Sequence, residues 1–402
     1  MPSAKRGAAL RPTRSKAKGA AKPRRARREL VVDADGHVCE PADLWETRLP
    51  RHLRERGIRL RWNESTGYDV AHCEDWIITD RGLAGLGNAG ANNVELGRGT
   101  HYQDLNPAGF DGKARLAVMD AEGIDVAVLY PGLGFSLGAI RDPELGVASC
   151  RVYNDWIAEY CSADPKRLVG VAALPLQDPA AAAAEVRRAA DELGLRGSFV
   201  RPNPHGEHLL HERRFDPVWE ALQAADLPLG FHPAGLFDLP GTSRSMRQYM
   251  ADGTPHAVIL FFDQYMTLSN LVYGGVLERH PALKLLILEC GGGWIAHWMD
   301  RVDEFLRAYD WQLSHLTLKP SEYFLRQGYI SFDPGERTTA AMTQFIGHER
   351  MVWASDFPHS DAQYPGVVEE LREHSAALPP AARAGLLGLN ALRLYGLRDP
   401  RA

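Results

Sequence analysis

The sequence predicts an α/β protein built as a (β/α)8 TIM barrel, and three observations carry that prediction. Eight short apolar runs recur along 402 residues, at 30–36, 123–130, 168–174, 196–201, 227–232, 283–289, 328–332 and 350–355. Segments of helix-forming composition lie between most of them. Three of the runs (LVVDADGH, LPLGFHP and MVWASDFPH) stop at residues of the metal-ligand type. Strands alternating with helices make a parallel sheet, and eight of them argue for a closed barrel rather than an open sheet. Such a barrel keeps its catalytic groups at the C-terminal ends of several different strands.

The first run ends in Asp35-Gly36-His37, and alternation along a strand sends residues 35 and 37 to the same side. Runs such as DVAVLY, LKLLILE and MVWAS are nearly all apolar, as expected for strands buried on both faces of a parallel sheet. Between the strands, DPAAAAAEVRRAADELG has an Asp-Pro start, helix formers throughout and a terminal Gly. The segments 113–122, 146–162, 214–225, 268–280, 294–308, 336–347 and 361–376 read as helices in the same way. The rhythm breaks between the first and second strands, where a long stretch holds Trp62, Trp76 and a Gly/Asn-rich patch near 82–98. Connections of this length inside a barrel are functional loops or small subdomains. Residues 41–112 are therefore read as an insertion forming a lid over the barrel mouth, with the long connection 233–267 as a second part of it. The barrel itself is expected over 30–398, preceded by a basic arm over 1–29.

Composition sets the outer bounds. Hydrophobic residues make up 45% and charged residues 24%, with a formal net charge of −5, so nothing calls for a nucleic-acid partner. Residues 1–28 nevertheless hold eleven Lys or Arg and no acid. Their Ala, Pro and Gly content predicts a solvated, disordered extension. A nucleic-acid or anionic-surface arm and a transit peptide are the lesser readings. The arm lacks the apolar core of a secretory signal, and no stretch has the length of a membrane span. Five widely spaced cysteines without CxxC fit neither a disulfide scaffold nor a zinc ribbon, and a reducing cytoplasm is expected.

Four residues carry the chemistry: Asp35, His37, His232 and Asp356. Singly each has a bland reading, His232 as a hydrogen-bonded core histidine and Asp356 as a helix cap. Together they sit at three strand ends of one barrel, which makes a single site. Glu289, at the end of the sixth strand, is a candidate base or a structural acceptor. Arg201, Trp294 and His359 are candidate substrate contacts, Arg201 because a guanidinium suits a carboxylate. Cys290 has no activating base beside it. His205, His208 and His211 lie in a Pro-rich connection and read as a solvated loop. A GxGxxG match at 85–90 sits inside the insertion without a following helix, so dinucleotide binding is set aside. A GxSxG match at 134–138 is separated from its strand by Pro131-Gly132, which does not suit a nucleophile elbow.

On DADGHVCEP, RLAVMDAEGIDVAVLYP, LPLGFHP, RHPALKLLILECGGGW, VWASDFPHSD and the terminal NALRLYGL, the chain resembles the amidohydrolase-related branch of the amidohydrolase superfamily. The branch is typified by aminocarboxymuconate-semialdehyde decarboxylase, and the likeness runs from about residue 30 to 398. The resemblance implies that Asp35 stands for the first His of an HxH pair and His37 for the second. It makes His232 the ligand after the fifth strand. Asp356 becomes the carboxylate that both touches the metal and moves protons. No Lys follows the fourth strand (GSFVRPNP), so one metal is implied. Zinc is the first choice for it, and the added carboxylate opens the set to Mn²⁺. Decarboxylases of the branch often carry a His after the sixth strand, where this chain offers Glu289 or Cys290. The implied reaction is decarboxylation of a small aromatic or conjugated acid, with Asp356 delivering the proton. Hydrolysis of an ester, amide or lactone by a metal-activated water is the alternative, and an inactive barrel acting as a binding protein the remote one. The resemblance also implies a homodimer. Trp294, Phe231, Phe332, Tyr130 and Phe357 are expected to line the mouth.

Overall fold

A computed structural model of the chain describes residues 29–79, 82–90, 99–234, 248, 258, 260–306 and 308–402. The basic arm and most of the connection 233–267 lie outside the described residues. Among the described residues eleven strands are formed: β1 Val32–His37, β2 Arg59–Asn63, β3 Tyr68–Cys73, β4 Trp76–Thr79, β5 Val126–Tyr130, β6 Leu168–Ala173, β7 Gly197–Val200, β8 Leu229–Phe231, β9 Leu285–Ile287, β10 Gly328–Phe332 and β11 Met351–Trp353. Eight of them run β1-β5-β6-β7-β8-β9-β10-β11, every ladder parallel. Seven of the eight apolar runs contain one of these strands, and the first, 30–36, overlaps β1, which runs one residue further to His37. All residues of these eight strands are buried, which is why the runs lack a polar alternation.

The helices between them begin as their sequences dictate. Asp111, Asp142 and Asp178 cap helices Gly112–Glu122, Pro143–Cys161 and Pro179–Asp191 by accepting backbone N–H groups of the first turn. The segment 268–280, read as one helix, is two, Phe261–Tyr273 and Val276–Arg279. Gly275 breaks it at a positive φ of 72°. The helix expected over 361–376 starts only at Val367, after the Pro365-Gly366 turn. The insertion holds an element the sequence reading missed, a three-stranded antiparallel sheet in the order β2-β3-β4.

The barrel closes where the chemistry sits. Between β11 and β1 there is no regular ladder. His37 N donates to Phe357 O at 2.8 Å and Asp356 N to Asp35 O at 3.0 Å, beyond the end of β11. The register of β1 also slips between Asp33 and Gly36. The gap is filled by polar groups: Asp33 accepts from Ser355 N at 3.0 Å and Ser355 Oγ at 2.6 Å. Arg115 Nη1 donates to His37 O at 2.9 Å and Phe357 O at 3.0 Å. Gly36 is what lets the guanidinium in, because a Cβ there would stand 2.4 Å from Arg115 Nη2.

The aromatic residues expected at the mouth are mostly core. Phe231, Phe332 and Tyr130 are fully buried. Tyr130 bonds through its hydroxyl to Tyr395 at 2.9 Å, and Phe332 packs against Gly292. Phe357 lies under the Arg115 guanidinium, 4.7 Å from its ring centre. A strand buried on both faces packs its aromatics, whichever end they occupy.

Candidate metal centre

The ends of β1, β8 and β11 bring together two groups of donor atoms that share His37: Asp35, His37 and His232, and His37, Asp356 and His359. Asp35 Oδ1 lies 3.6 Å from His37 Nε2 and 3.5 Å from His232 Nε2. Asp356 Oδ1 lies 3.1 Å from His37 Nε2. All four atoms are buried; Asp35 Oδ1, His37 Nε2 and His232 Nε2 make no hydrogen bond, and Asp356 Oδ1 has His359 beside it. Leaving such groups unpaired costs roughly 1–3 kcal/mol each, so their convergence needs a partner. Donors held about 2.1 Å from one cation stand about 3.0–3.4 Å apart, close to the separations seen.

The two imidazoles are set up as ligands by the backbone. His37 Nδ1 bonds to Pro131 O at 3.0 Å and His232 Nδ1 to Pro233 O at 2.7 Å. Each Nδ1 therefore carries the proton, and each Nε2 lone pair faces the cluster. Burial pushes His37 down to about 4 and His232 to about 3, so both are neutral at physiological pH. The residues present fit one divalent cation.

Two backbone positions show that the site is held under strain. Asp356 and Glu289 adopt φ of 56° and 46°, the left-handed region that non-glycine residues rarely occupy. Such residues cost about 1–3 kcal/mol each and persist where the surroundings over-determine them. At Asp356 the clamp is the bond from its own N–H to Asp35 O. The turn also sets Asp356 facing the cluster, so it is not the helix cap of its bland reading.

Glu289 and His359 join the same cluster. Glu289 Oε2 is 3.4 Å from His232 Nε2. Burial raises its carboxyl well above the usual range, and Asp356 and Asp35 push the same way. His359 stacks on His37 at 3.9 Å and places Nδ1 2.7 Å from Asp356 Oδ1. Burial opposes protonation of His359, but the Asp356 carboxylate outweighs it and raises the imidazole. Burial would likewise raise Asp356, yet His359 and His37 hold it well below the carboxylate range. The proton of this pair rests on His359.

Arg201 and Trp294 stand apart from the cluster. Arg201, at the end of β7, lines a small cavity with Leu137, Gly138, Phe199 and His205, and burial pushes it down to about 10. Trp294 packs against Tyr265 and Phe261. Burial pushes the Cys290 thiol up, which leaves it no nucleophile. His208 pairs with Glu212, and His211 bonds to Asn270, so the three loop histidines do not converge. In the GxSxG match, Ser136 is buried and donates to Leu133 O, a structural bond. The sequence reading missed Phe135 in that match, whose ring stacks on His232 at 4.3 Å.

The site has a pH signature. Burial pushes Asp35 up to about 7, against the pull of His37. A metal must displace that proton, so apparent affinity should rise about tenfold per pH unit below about pH 7 and level off above it. Competition titration with Mn²⁺ from pH 5 to 8 measures this. A midpoint near 6.5 with a slope of two would instead mean that both histidines titrate as in water.

Comparison with known proteins gives the following likenesses. A family model described as amidohydrolase matches residues 32–397. A 2-amino-3-carboxymuconate-6-semialdehyde decarboxylase from Dictyostelium discoideum is 26% identical over 305 residues, covering 75% of this chain and 81% of that protein. A gamma-resorcylate decarboxylase from Polaromonas sp. strain JS666 is 29% identical over 265 residues, covering 62% and 78%. The crystal structure of 5-carboxyvanillate decarboxylase from Sphingomonas paucimobilis matches with a TM-score of 0.59 at 29% identity, over 71% of this chain and 82% of that one.

Proposed function

The chain belongs to the amidohydrolase family, and from that membership we propose that it is a metal-dependent lyase that decarboxylates a small aromatic or conjugated carboxylic acid without redox change. The observation that carries the reading is the convergence of Asp35, His37 and His232 in one group of possible ligands and of His37, Asp356 and His359 in a second that shares His37. The reaction type follows the decarboxylases at 26–29% identity.

Asp35, His37, His232 and Asp356 hold the cation, which when bound supplies positive charge that stabilises the negative charge developing on the substrate. Asp356 and His359 share one proton across their 2.7 Å contact. That proton passes to the carbon bearing the carboxylate. The carbon–carbon bond breaks, its electron pair stays on that carbon, and CO2 leaves. The arrangement refines the sequence expectation, because Asp356 moves a proton that His359 stores. Glu289, whose carboxyl is raised by burial and by Asp356 and Asp35, is assigned a hydrogen bond to a substrate oxygen. We assign substrate contact to Arg201, Trp294 and His359, with Arg201 facing a second anionic substituent. The donor set of two imidazoles and two carboxylates suits Zn²⁺, the choice the sequence favours, and Mn²⁺ equally.

The insertion 41–112 is assigned the lid. Its segment 82–90 is tied to the loop after β11: Ser360 N donates to Gly85 O at 2.9 Å and Ala89 N to Pro358 O at 3.0 Å. A homodimer is proposed as well, supported by exposed Phe262 and Met266 one turn apart on the helix Phe261–Tyr273. We place the protein in the cytoplasm, which suits five cysteines that are all free. Among the described residues no helix is long and apolar enough to cross a membrane.

The test is to incubate metal-loaded protein with 2,6-dihydroxybenzoate, 5-carboxyvanillate and a panel of aromatic acids, and to follow CO2 and the decarboxylated product. Release of CO2 in step with loss of one acid is the expected result. Turnover of esters, amides or lactones with no CO2 from any acid would replace the reading by hydrolysis.

A further inference from the structure

We propose that Glu40 is a positioning residue for the metal centre: its buried carboxylate fixes the loop after β5 so that Pro131 orients His37 and Phe135 covers His232. The inference rests on the metal reading above and extends it to a residue outside the cluster. Glu40 is fully buried. Its Oε1 accepts from Gly132 N at 3.2 Å and Gly134 N at 3.0 Å, and its Oε2 from Leu133 N at 2.8 Å. Three successive backbone N–H groups thus converge on one carboxylate, the concave arrangement that binds anions.

The loop is built for this approach. A Cβ at Gly134 would stand 2.8 Å from Glu40 Oε1, and one at Gly132 would stand 2.7 Å from Val38 O. Ser136 Oγ closes the turn by donating to Leu133 O at 2.7 Å. The two ends of the clamped segment both reach the cluster. Pro131 O takes the His37 Nδ1 proton at 3.0 Å, and the Phe135 ring lies 4.3 Å from the His232 ring at 20°. A shift of this loop would therefore free the His37 tautomer and uncover His232 together. A carboxylate is required because an amide offers one acceptor oxygen and sets its NH2 against a backbone N–H.

The test compares the wild type with Glu40→Gln and Gly134→Ala, the second perturbing the same contact while leaving Glu40 in place. In the metal-free proteins, NMR reads the His37 imidazole nitrogen and its Nδ1 proton. In the cobalt-loaded proteins, absorption titration reads affinity and the ligand-field bands. The expected result is a 10–100-fold weaker affinity for Co²⁺ with altered bands, the usual size for losing an outer-shell partner. The His37 Nδ1 proton should also exchange rapidly in both variants. Should Glu40→Gln fail to fold, Gly134→Ala carries the same readouts. A variant that loses thermal stability but keeps the wild-type His37 signal and cobalt affinity would make Glu40 structural only and overturn the proposal. A wild type that binds no cobalt would sink the metal reading instead, and the His37 proton signal would then decide the positioning role alone.

Discussion

Asp356→Asn should lower turnover by about 10²–10⁴-fold even at saturating metal, the range expected for loss of a positioned proton-transfer group. Asn is close in shape and keeps an oxygen at the site, so the effect isolates the charge. That charge does two things. In the proposed site it would complete the ligand set, 3.1 Å from His37 Nε2, and it would keep the proton on His359 across 2.7 Å. Without it, burial, which lowers the imidazole, is opposed only by the weaker pull of Asp361 and Asp35. The protonated form is then lost at neutral pH, so residual activity should rise as pH is lowered. Measuring kcat from pH 5 to 9 in excess Mn²⁺ separates this from simple loss of the ion. A variant with a wild-type pH profile and a loss confined to metal affinity would leave Asp356 a ligand and nothing more.

The largest effect on stability is expected at Arg115. Its side chain is buried at 1% exposure, faces Asp33 at 3.8 Å, and donates to His37 at the end of β1 and to Phe357 in the loop after β11. Burial raises Asp33 to about 6 even with Arg115 beside it. Arg115→Ala leaves that carboxyl without its cation, removes the side-chain donor of His37 O, and leaves Phe357 O with His37 N. Breaking a buried pair by removing one partner costs about 3–5 kcal/mol. Denaturant unfolding should show a loss of that size. Asp33→Asn, which keeps an acceptor for Ser355, should cost less. A loss below about 1 kcal/mol for Arg115→Ala would mean that the seam is held by its backbone bonds alone.

The parts of this protein legible in its sequence are those where one physical rule dominates. Strands buried on both faces must be apolar throughout, so runs such as Val126–Tyr130 and Met351–Trp353 stand out without any alignment. The four donors were legible because a barrel exposes its chemistry only where strands stop. The small sheet β2-β3-β4 was not, since strands such as Arg59–Asn63 are part-exposed on both faces and carry no clean period. The groups that hold the site in place were also hidden. Asp33, Glu40 and Glu336 each collect backbone N–H groups from a loop carrying or touching a site residue, Glu336 through Gly292 and Gly293 behind Glu289. A lone acid near a glycine pair gives no periodic signal. The spacing Gly132-Leu133-Gly134 is the one visible hint of such a nest, and in the sequence reading Gly134 enters only as the start of the GxSxG match at 134–138. The left-handed backbone at Glu289 and Asp356 could not be read at all, because carboxylates give no notice of a positive φ.

The most direct test of the central claim is metal content by mass spectrometry on protein purified without added metal, for the wild type and for His232→Ala. His232 is chosen because its Nε2 is buried, makes no hydrogen bond and faces the carboxylates of Asp35 and Glu289. The account predicts about one zinc or manganese per wild-type chain, and a sharp fall in the variant with the fold retained by circular dichroism. A wild type that holds no metal and takes none from Zn²⁺ or Mn²⁺ solution would contradict it, as would a variant that binds the ion as the wild type does.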